Sequence, residues 1–171
     1  GSYRAQHRGG RGMMGMMTRE ADAVQHLVIA DTHDNLLLFT NRGRVLPLKC
    51  HQIPQESSRQ AKGMPIINLL PMDGNEQVTA VIAISHLSPA EFIVLATRRG
   101  EVKRSALSQF APIRHSGVIA MPLKRGDELV SVRLAGEGDE VILVTEGGRA
   151  LRFAVSRLRV ASRASGSVRG I

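Results

Sequence analysis

An all-β chain of propeller-like, four-stranded blades is what this sequence predicts, and three observations carry the prediction. A hairpin pattern occurs three times, at Leu38-Phe39-Thr40-Asn41-Arg42-Gly43-Arg44-Val45, at Leu95-Ala96-Thr97-Arg98-Arg99-Gly100-Glu101-Val102 and at Leu143-Val144-Thr145-Glu146-Gly147-Gly148-Arg149-Ala150. Each copy is an apolar run, a threonine, two turn residues, a glycine and a second strand-like run. Glycine supplies the positive φ that such a turn needs. A second echo follows: Gly63-Met64-Pro65-Ile66 begins 20 residues after Gly43, Ala120-Met121-Pro122-Leu123 begins 20 after Gly100, and Gly170-Ile171 begins 22 after Gly148. Finally, a strand-like run precedes each hairpin, at Val24 to Ala30, Val78 to Ser85 and Leu129 to Leu134. The hairpins are offset by 57 residues (Thr40 to Thr97) and 48 (Thr97 to Thr145). Periods of that size belong to repeat units that bury their apolar faces only against one another.

Taken in order, the chain opens with an arm over residues 1–20 and continues as blades over about 21–72, 73–123 and 124–171. The arm is rich in glycine and arginine, which argues against a helix or a central strand and suits a backbone that follows a phosphate chain, reading charge and not sequence. Composition alone fits a Gly/Arg linker equally well. Gly1-Ser2 reads as a cloning scar, which places further chain upstream. Within the blades, the clusters Asp73-Gly74-Asn75 and Arg125-Gly126-Asp127 are turns that introduce the second and third strand-like runs.

Composition narrows the function classes. There are 23 Lys+Arg against 15 Asp+Glu, a formal charge of +8, and Arg supplies 19 of the 23. Arginine's planar fork pairs with phosphate, so this balance favours a nucleic-acid partner. The ends carry the excess: residues 1–19 hold four Arg and residues 149–171 hold six, with no acid in either stretch. Aromatic residues are 3% of the chain, so the core must come from Leu, Ile, Val, Ala and Met. One cysteine, Cys50, excludes an internal disulfide and suits a reducing cytoplasm. No apolar run approaches the ~20 residues that span a bilayer.

Repeating a blade repeats its surface. Arg42 and Arg44, Arg98 and Arg99, and Arg149 with Arg152 occupy similar places in the three hairpins, and should form a basic track along one rim. Lys49, Lys103 and Arg104 on the following strands extend it, and Arg59, Lys62, Arg114 and Arg163 fall between hairpin and next unit.

Gln6-His7-Arg8-Gly9-Gly10-Arg11-Gly12 resembles the seven-residue box that marks the C-terminal domain of DNA gyrase A subunits. The family pattern is glutamine, a basic residue, arginine, two glycines, a basic residue and glycine. Only His7 departs from it, where Arg or Lys is usual; with an ordinary pKa of ~6.5 it carries less fixed charge. The repeats resemble the same domain, and box and blades together cover Gln6 to Ile171. The resemblance implies a β-pinwheel, a disc whose blades exchange strands, with about three of the usual six present. It implies that Gln6 to Gly12 clamp DNA and help bridge first and last blades. Duplex DNA would bend around the rim, largely independent of sequence, so that the parent ATP-dependent type II topoisomerase introduces negative supercoils. The partners implied are the gyrase A N-terminal region and the gyrase B subunit, in a cytoplasmic, nucleoid-associated heterotetramer. Two rivals are the equivalent domain of topoisomerase IV, whose box is lost or degenerate, and a propeller-like protein-interaction module.

No catalytic constellation is legible, and no cofactor is expected in this chain; ATP and Mg²⁺ belong to other parts of the parent enzyme. Cys50-His51 is the one place where soft ligands adjoin, and structural zinc needs four ligands. The segment Gly9-Gly10-Arg11-Gly12 lacks the lysine-serine/threonine end of a P-loop. Tyr3 precedes the box and is not read as a cleavage nucleophile. With strand edges unpaired, self-association stays open.

Overall fold

The computed structural model describes residues 24–56, 63–85 and 91–171. The arm with its box, Gln6 to Gly12, and the cations Arg59 and Lys62 lie outside these described residues.

The described residues form ten strands and no α-helix. The three sequence hairpins are β1 (Asn35–Thr40) with β2 (Arg44–Lys49), β4 (Phe92–Thr97) with β5 (Glu101–Ala106), and β8 (Glu140–Val144) with β9 (Ala150–Ala154). Their turns close as the glycine pattern requires: Gly43 sits at φ +77° and Gly100 at φ +86°.

The expected strand runs also form, as β3 (Val78–Ile84) and β7 (Leu129–Ala135), but each pairs backwards. β3 lies antiparallel on β1 and β7 on β4, so each joins the hairpin preceding it in the chain, not the hairpin it introduces. The fourth strand of each sheet comes from farther downstream. β6 (Val118–Ile119) adds to β2, and β10 (Val168–Arg169) adds to β5. The result is two four-stranded sheets, ordered β3-β1-β2-β6 and β10-β5-β4-β7, and the two-stranded β8-β9. Blades exchange strands, as a pinwheel requires.

The first strand-like run is a correction. Val24 to Ala30 holds no strand: Val24, Leu27 and Ile29 are exposed, and His26 Nε2 donates to the Val78 carbonyl at 3.1 Å without a ladder forming.

Blades stack face to face, and the alternation of side chains along each strand explains why both faces are apolar. On β1, Leu37 and Phe39 enter the core shared with Ile93 and Leu95 of β4, joined by Ile82, Phe110, Met121 and Val132. Leu36 and Leu38, on the opposite face, pack under Leu70 with Ile66, Leu69 and Met72. On β4, Val94 turns the other way, to Val141 and Leu143 of β8. Each buried Leu, Ile or Phe contributes about 1.5–3 kcal/mol.

Candidate nucleic-acid interface

The rim is built where hairpin turns meet the loops leading into β3 and β7. In the first blade, Thr40 Oγ1 donates to Glu76 Oε2 at 2.8 Å and Arg44 Nη1 donates to Glu76 Oε1 at 2.7 Å. The Glu76 side chain is wholly buried, and its desolvation is offset by those charge-assisted bonds. Arg42 pairs with Asp73 at 3.0 Å on the surface above.

The second blade keeps the acid before the strand and reverses the charge after the turn glycine. Asp127 takes the place of Glu76, two residues before the strand in each case, and accepts from the Arg99 and Glu128 backbone N–H groups at 3.1 and 2.9 Å. Burial alone would raise the Asp127 carboxyl, but hydrogen bonds from the Thr97 hydroxyl and those two N–H groups hold it below the usual range. Where Arg44 follows the first turn glycine, Glu101 follows the second. It is held below its ordinary value by hydrogen bonds from Lys124 Nζ at 2.7 Å and Ser167 Oγ at 2.8 Å. Sequence reasoning missed Glu76 and Asp127. The signal was present, since Asp127 closes the turn cluster Arg125-Gly126-Asp127 and Glu76 directly follows Asp73-Gly74-Asn75, clusters read only as punctuation.

The cations of the expected track separate into three groups. Arg42, Arg98 and Arg152 are exposed but paired on the surface, with Asp73 at 3.0 Å, Glu128 at 2.7 Å and Glu140 at 3.7 Å. Such exposed pairs are worth about 0–1 kcal/mol and can open toward a phosphate. Arg99 and Arg149 are exposed and make no ion pair among the described residues; Arg99 Nη1 instead donates to the Arg125 carbonyl at 3.1 Å. Lys49 is exposed, and Arg114 is exposed with Nε on the Gly117 carbonyl at 3.2 Å. Arg157, Arg159 and Arg169, which the hairpin pattern did not single out, are also exposed.

The third group lies inside. Lys103 is 2% exposed, and its Nζ donates to the carbonyls of Ala120 at 2.9 Å and Arg163 at 2.6 Å. Burial, with the nearby Arg163 guanidinium, pushes its ammonium down to about 8. Arg104 is buried over the Phe92 ring, 4.5 Å from its centroid, and ion-paired with Glu137 at 3.0 Å. Arg44 is mostly occupied by Glu76, and Arg163 is half-buried. As surface contacts, Lys103 and Arg104 are therefore corrected. β5 lies between two blades with both faces covered, so its cations point into protein.

Among the described residues no three His, Cys, Asp or Glu side chains gather in a way that could hold a metal ion, and no helix is long and apolar enough to cross a membrane. Cys50 is a free thiol.

Against known proteins, a family model described as DNA gyrase C-terminal domain, beta-propeller, matches residues 1–31, 34–85, 91–135 and 139–171. The DNA gyrase A protein of Dehalogenimonas lykanthroporepellens is 50% identical over 169 residues, covering 99% of this chain and 21% of that protein. Its Staphylococcus aureus (strain NCTC 8325) counterpart is 45% identical over 171 residues, covering 99% and 19%. The chain thus spans about a fifth of the length of these curated relatives. Among solved structures, the C-terminal domain of DNA topoisomerase IV superposes with TM-score 0.72 at 32% identity, covering 81% of this chain and 43% of that one. A DNA gyrase A C-terminal domain gives TM-score 0.67 at 22% identity, covering 82% and 44%, and supports the fold alone.

Proposed function

Because the chain belongs to the DNA gyrase C-terminal domain, beta-propeller family, we propose that its exposed rim captures duplex DNA electrostatically and bends it, as the wrapping element of a DNA gyrase A protein. The observation that carries this reading is the recurrence of exposed arginine on successive turns, Arg42, Arg98 with Arg99, and Arg149, in a chain of net charge +8. The cations sit on rigid hairpins spaced by the blade repeat, so a bent phosphate backbone meets them in succession. Contacts of this kind fix position without reading bases. The box, Gln6 to Gly12, serves as the clamp in this reading.

In the parent enzyme the bent segment would be presented to the cleavage machinery with one hand of crossing. ATP-driven strand passage, with the gyrase A N-terminal region and the gyrase B subunit, would then introduce negative supercoils. This chain supplies the wrap and no chemistry. The gyrase assignment is favoured over topoisomerase IV by 45–50% identity to gyrase A proteins over 99% of the chain, against 32% to the topoisomerase IV domain. A cytoplasmic, nucleoid-associated location goes with this role.

The test is topological. The chain is bound to a nicked circular plasmid, the nick is sealed, protein is removed and linking number is read on a gel. A shift that grows with protein, and is lost in an Arg8→Ala/Arg11→Ala variant, is the expected result. Binding without a shift would reject wrapping by this chain, and no binding at low salt would reject the DNA interface.

A further inference from the structure

The face that the first hairpin turns toward the second blade is closed near its turn and open at its far end. Near the turn, Phe39 and Val45 are fully buried in one core with Ile93 and Leu95. At the other end of β1 and β2, about 16 Å along the strands from the turn arginines, a cleft of about 520 Å³ enters between the two blades. Leu37, Pro47 and Ile84 line it from the first blade, and Phe110, Pro112 and Ile113 from the loop between β5 and β6. Lys49 and His115 are both exposed where the cleft opens, and Asn35 and Gln52 add neutral polar groups. No carboxylate lines it among the described residues.

The second blade shows what closes the same place. Strand register makes Phe92 the counterpart of Asn35, since Asn35 lies opposite Ile84 as Phe92 lies opposite Ala135. It likewise makes Arg104 the counterpart of Pro47, opposite Val94 and Leu37 respectively. In the second blade the Arg104 guanidinium stands 4.5 Å from the centre of the Phe92 ring and pairs with Glu137 at 3.0 Å. An aromatic ring, a buried cation and a carboxylate thus occupy the far end of that face. In the first blade a short proline ring stands where the long arginine would be, and a small amide where the aromatic ring would be. The plug is missing and its apolar surroundings are uncovered: Pro47, Ile84 and Ile113 are half-buried and Pro112 is exposed.

We propose that this cleft binds a small apolar molecule carrying one anionic head, of the class of a medium-chain carboxylate. Its body lies between Pro47 and Ile84 on one side and Pro112 and Ile113 on the other, with the head at Lys49. Concave, mostly apolar sites of this size with a few polar groups at the edge are those that take small ligands. The sign of the head follows from the lining. Lys49 makes no ion pair among the described residues, and a cationic head would meet it with no carboxylate to receive the charge. The cleft is lined by none of the turn arginines, so the proposal is independent of DNA binding. An occupant touches both blades, and by binding only the folded chain it raises the melting temperature.

The experiment needs no DNA. Amide NMR follows titration of the chain with octanoate, and with octanol as its neutral counterpart. Octanoate is expected to give saturable shifts at Lys49, Ala111, Ile113 and His115 and to raise the melting temperature, with octanol about fivefold weaker, the scale of one exposed charge pair. Lys49→Met, at an exposed site, should bring octanoate down to the octanol affinity with an unchanged melting temperature in the absence of either. Asn35→Phe/Pro47→Arg, which copies the second blade, should abolish the shifts; if that variant does not fold, the Lys49→Met comparison decides. No saturable shift by about 10 mM, equal binding of octanol and octanoate, or shifts confined to exposed apolar residues elsewhere, such as Ile142 and Val144, overturns the proposal.

Discussion

Thr40 Oγ1 lies 2.8 Å from a carboxylate oxygen of Glu76, a side chain with no solvent exposure, and the contact ties a hairpin turn to the loop that leads into β3. The same carboxylate accepts Arg44, so a cation that reads as a phosphate contact is enrolled in holding the turn. Glu76→Ala would leave a buried hydroxyl without its acceptor and strip the carboxylate from a three-quarters-buried guanidinium, which keeps only the Ser116 carbonyl at 2.9 Å. The expected loss is about 2–3 kcal/mol, below the full cost for a buried pair because Arg44 retains some solvent. Urea unfolding checks it: the midpoint should fall with an unchanged slope.

Acid should loosen the second blade. Asp127 and Glu101 both titrate below their ordinary values in the folded chain. The unfolded chain therefore binds protons first as pH falls. Their contribution is complete above the ordinary carboxylate range near ~4 and is lost as pH drops through the depressed folded values. Thermal unfolding between about pH 6 and 2 should show a steep decline, made shallower by Asp127→Asn.

Lys103 gives the opposite window. Its folded value of about 8 lies below the ordinary ~10.5, so between these pH values the unfolded chain holds more protons and stability rises with pH. Lys103→Met should remove that rise. The variant should also bind DNA within about twofold of wild type, since the ammonium reaches carbonyls and not solvent. A large loss of affinity without loss of fold would contradict its interior placement.

Salt dependence separates the cations. Arg149 has no acidic partner among the described residues, so Arg149→Ala should reduce the slope of log K against log salt by about 0.9 and weaken binding evenly across sequences. Arg42 must leave Asp73 before it meets a phosphate, and Arg42→Ala should change the slope less. Titrations from about 50 to 200 mM salt on one duplex settle the ranking.

The fold was legible where local chemistry dictates it. A Thr-x-x-Gly turn between apolar runs has few alternatives, and all three hairpins formed where Thr40, Thr97 and Thr145 place them. Partner choice was not legible. Nothing in Val78–Ile84 says whether it pairs with the hairpin before or after it, because period-2 alternation fixes faces and not neighbours. The site was read through charge, and charge misled at Val102-Lys103-Arg104-Ser105, where every residue is buried. A lysine on a strand ordinarily marks solvent; here two carbonyls receive it. The acids Glu76 and Asp127 escaped for the reverse reason, as turn residues that went inside.

Strand exchange makes the molecule a sequence of deferred closures. β2 ends at Lys49, yet the strand that finishes its sheet begins at Val118, 69 residues later (118 − 49). On a ribosome adding about 5–20 residues per second, the first blade waits several seconds with an edge uncovered. Each blade ripens only when its successor emerges. A lesion in one repeat therefore matures as a defect in the blade before it, and the repeats, however alike in sequence, are not interchangeable parts.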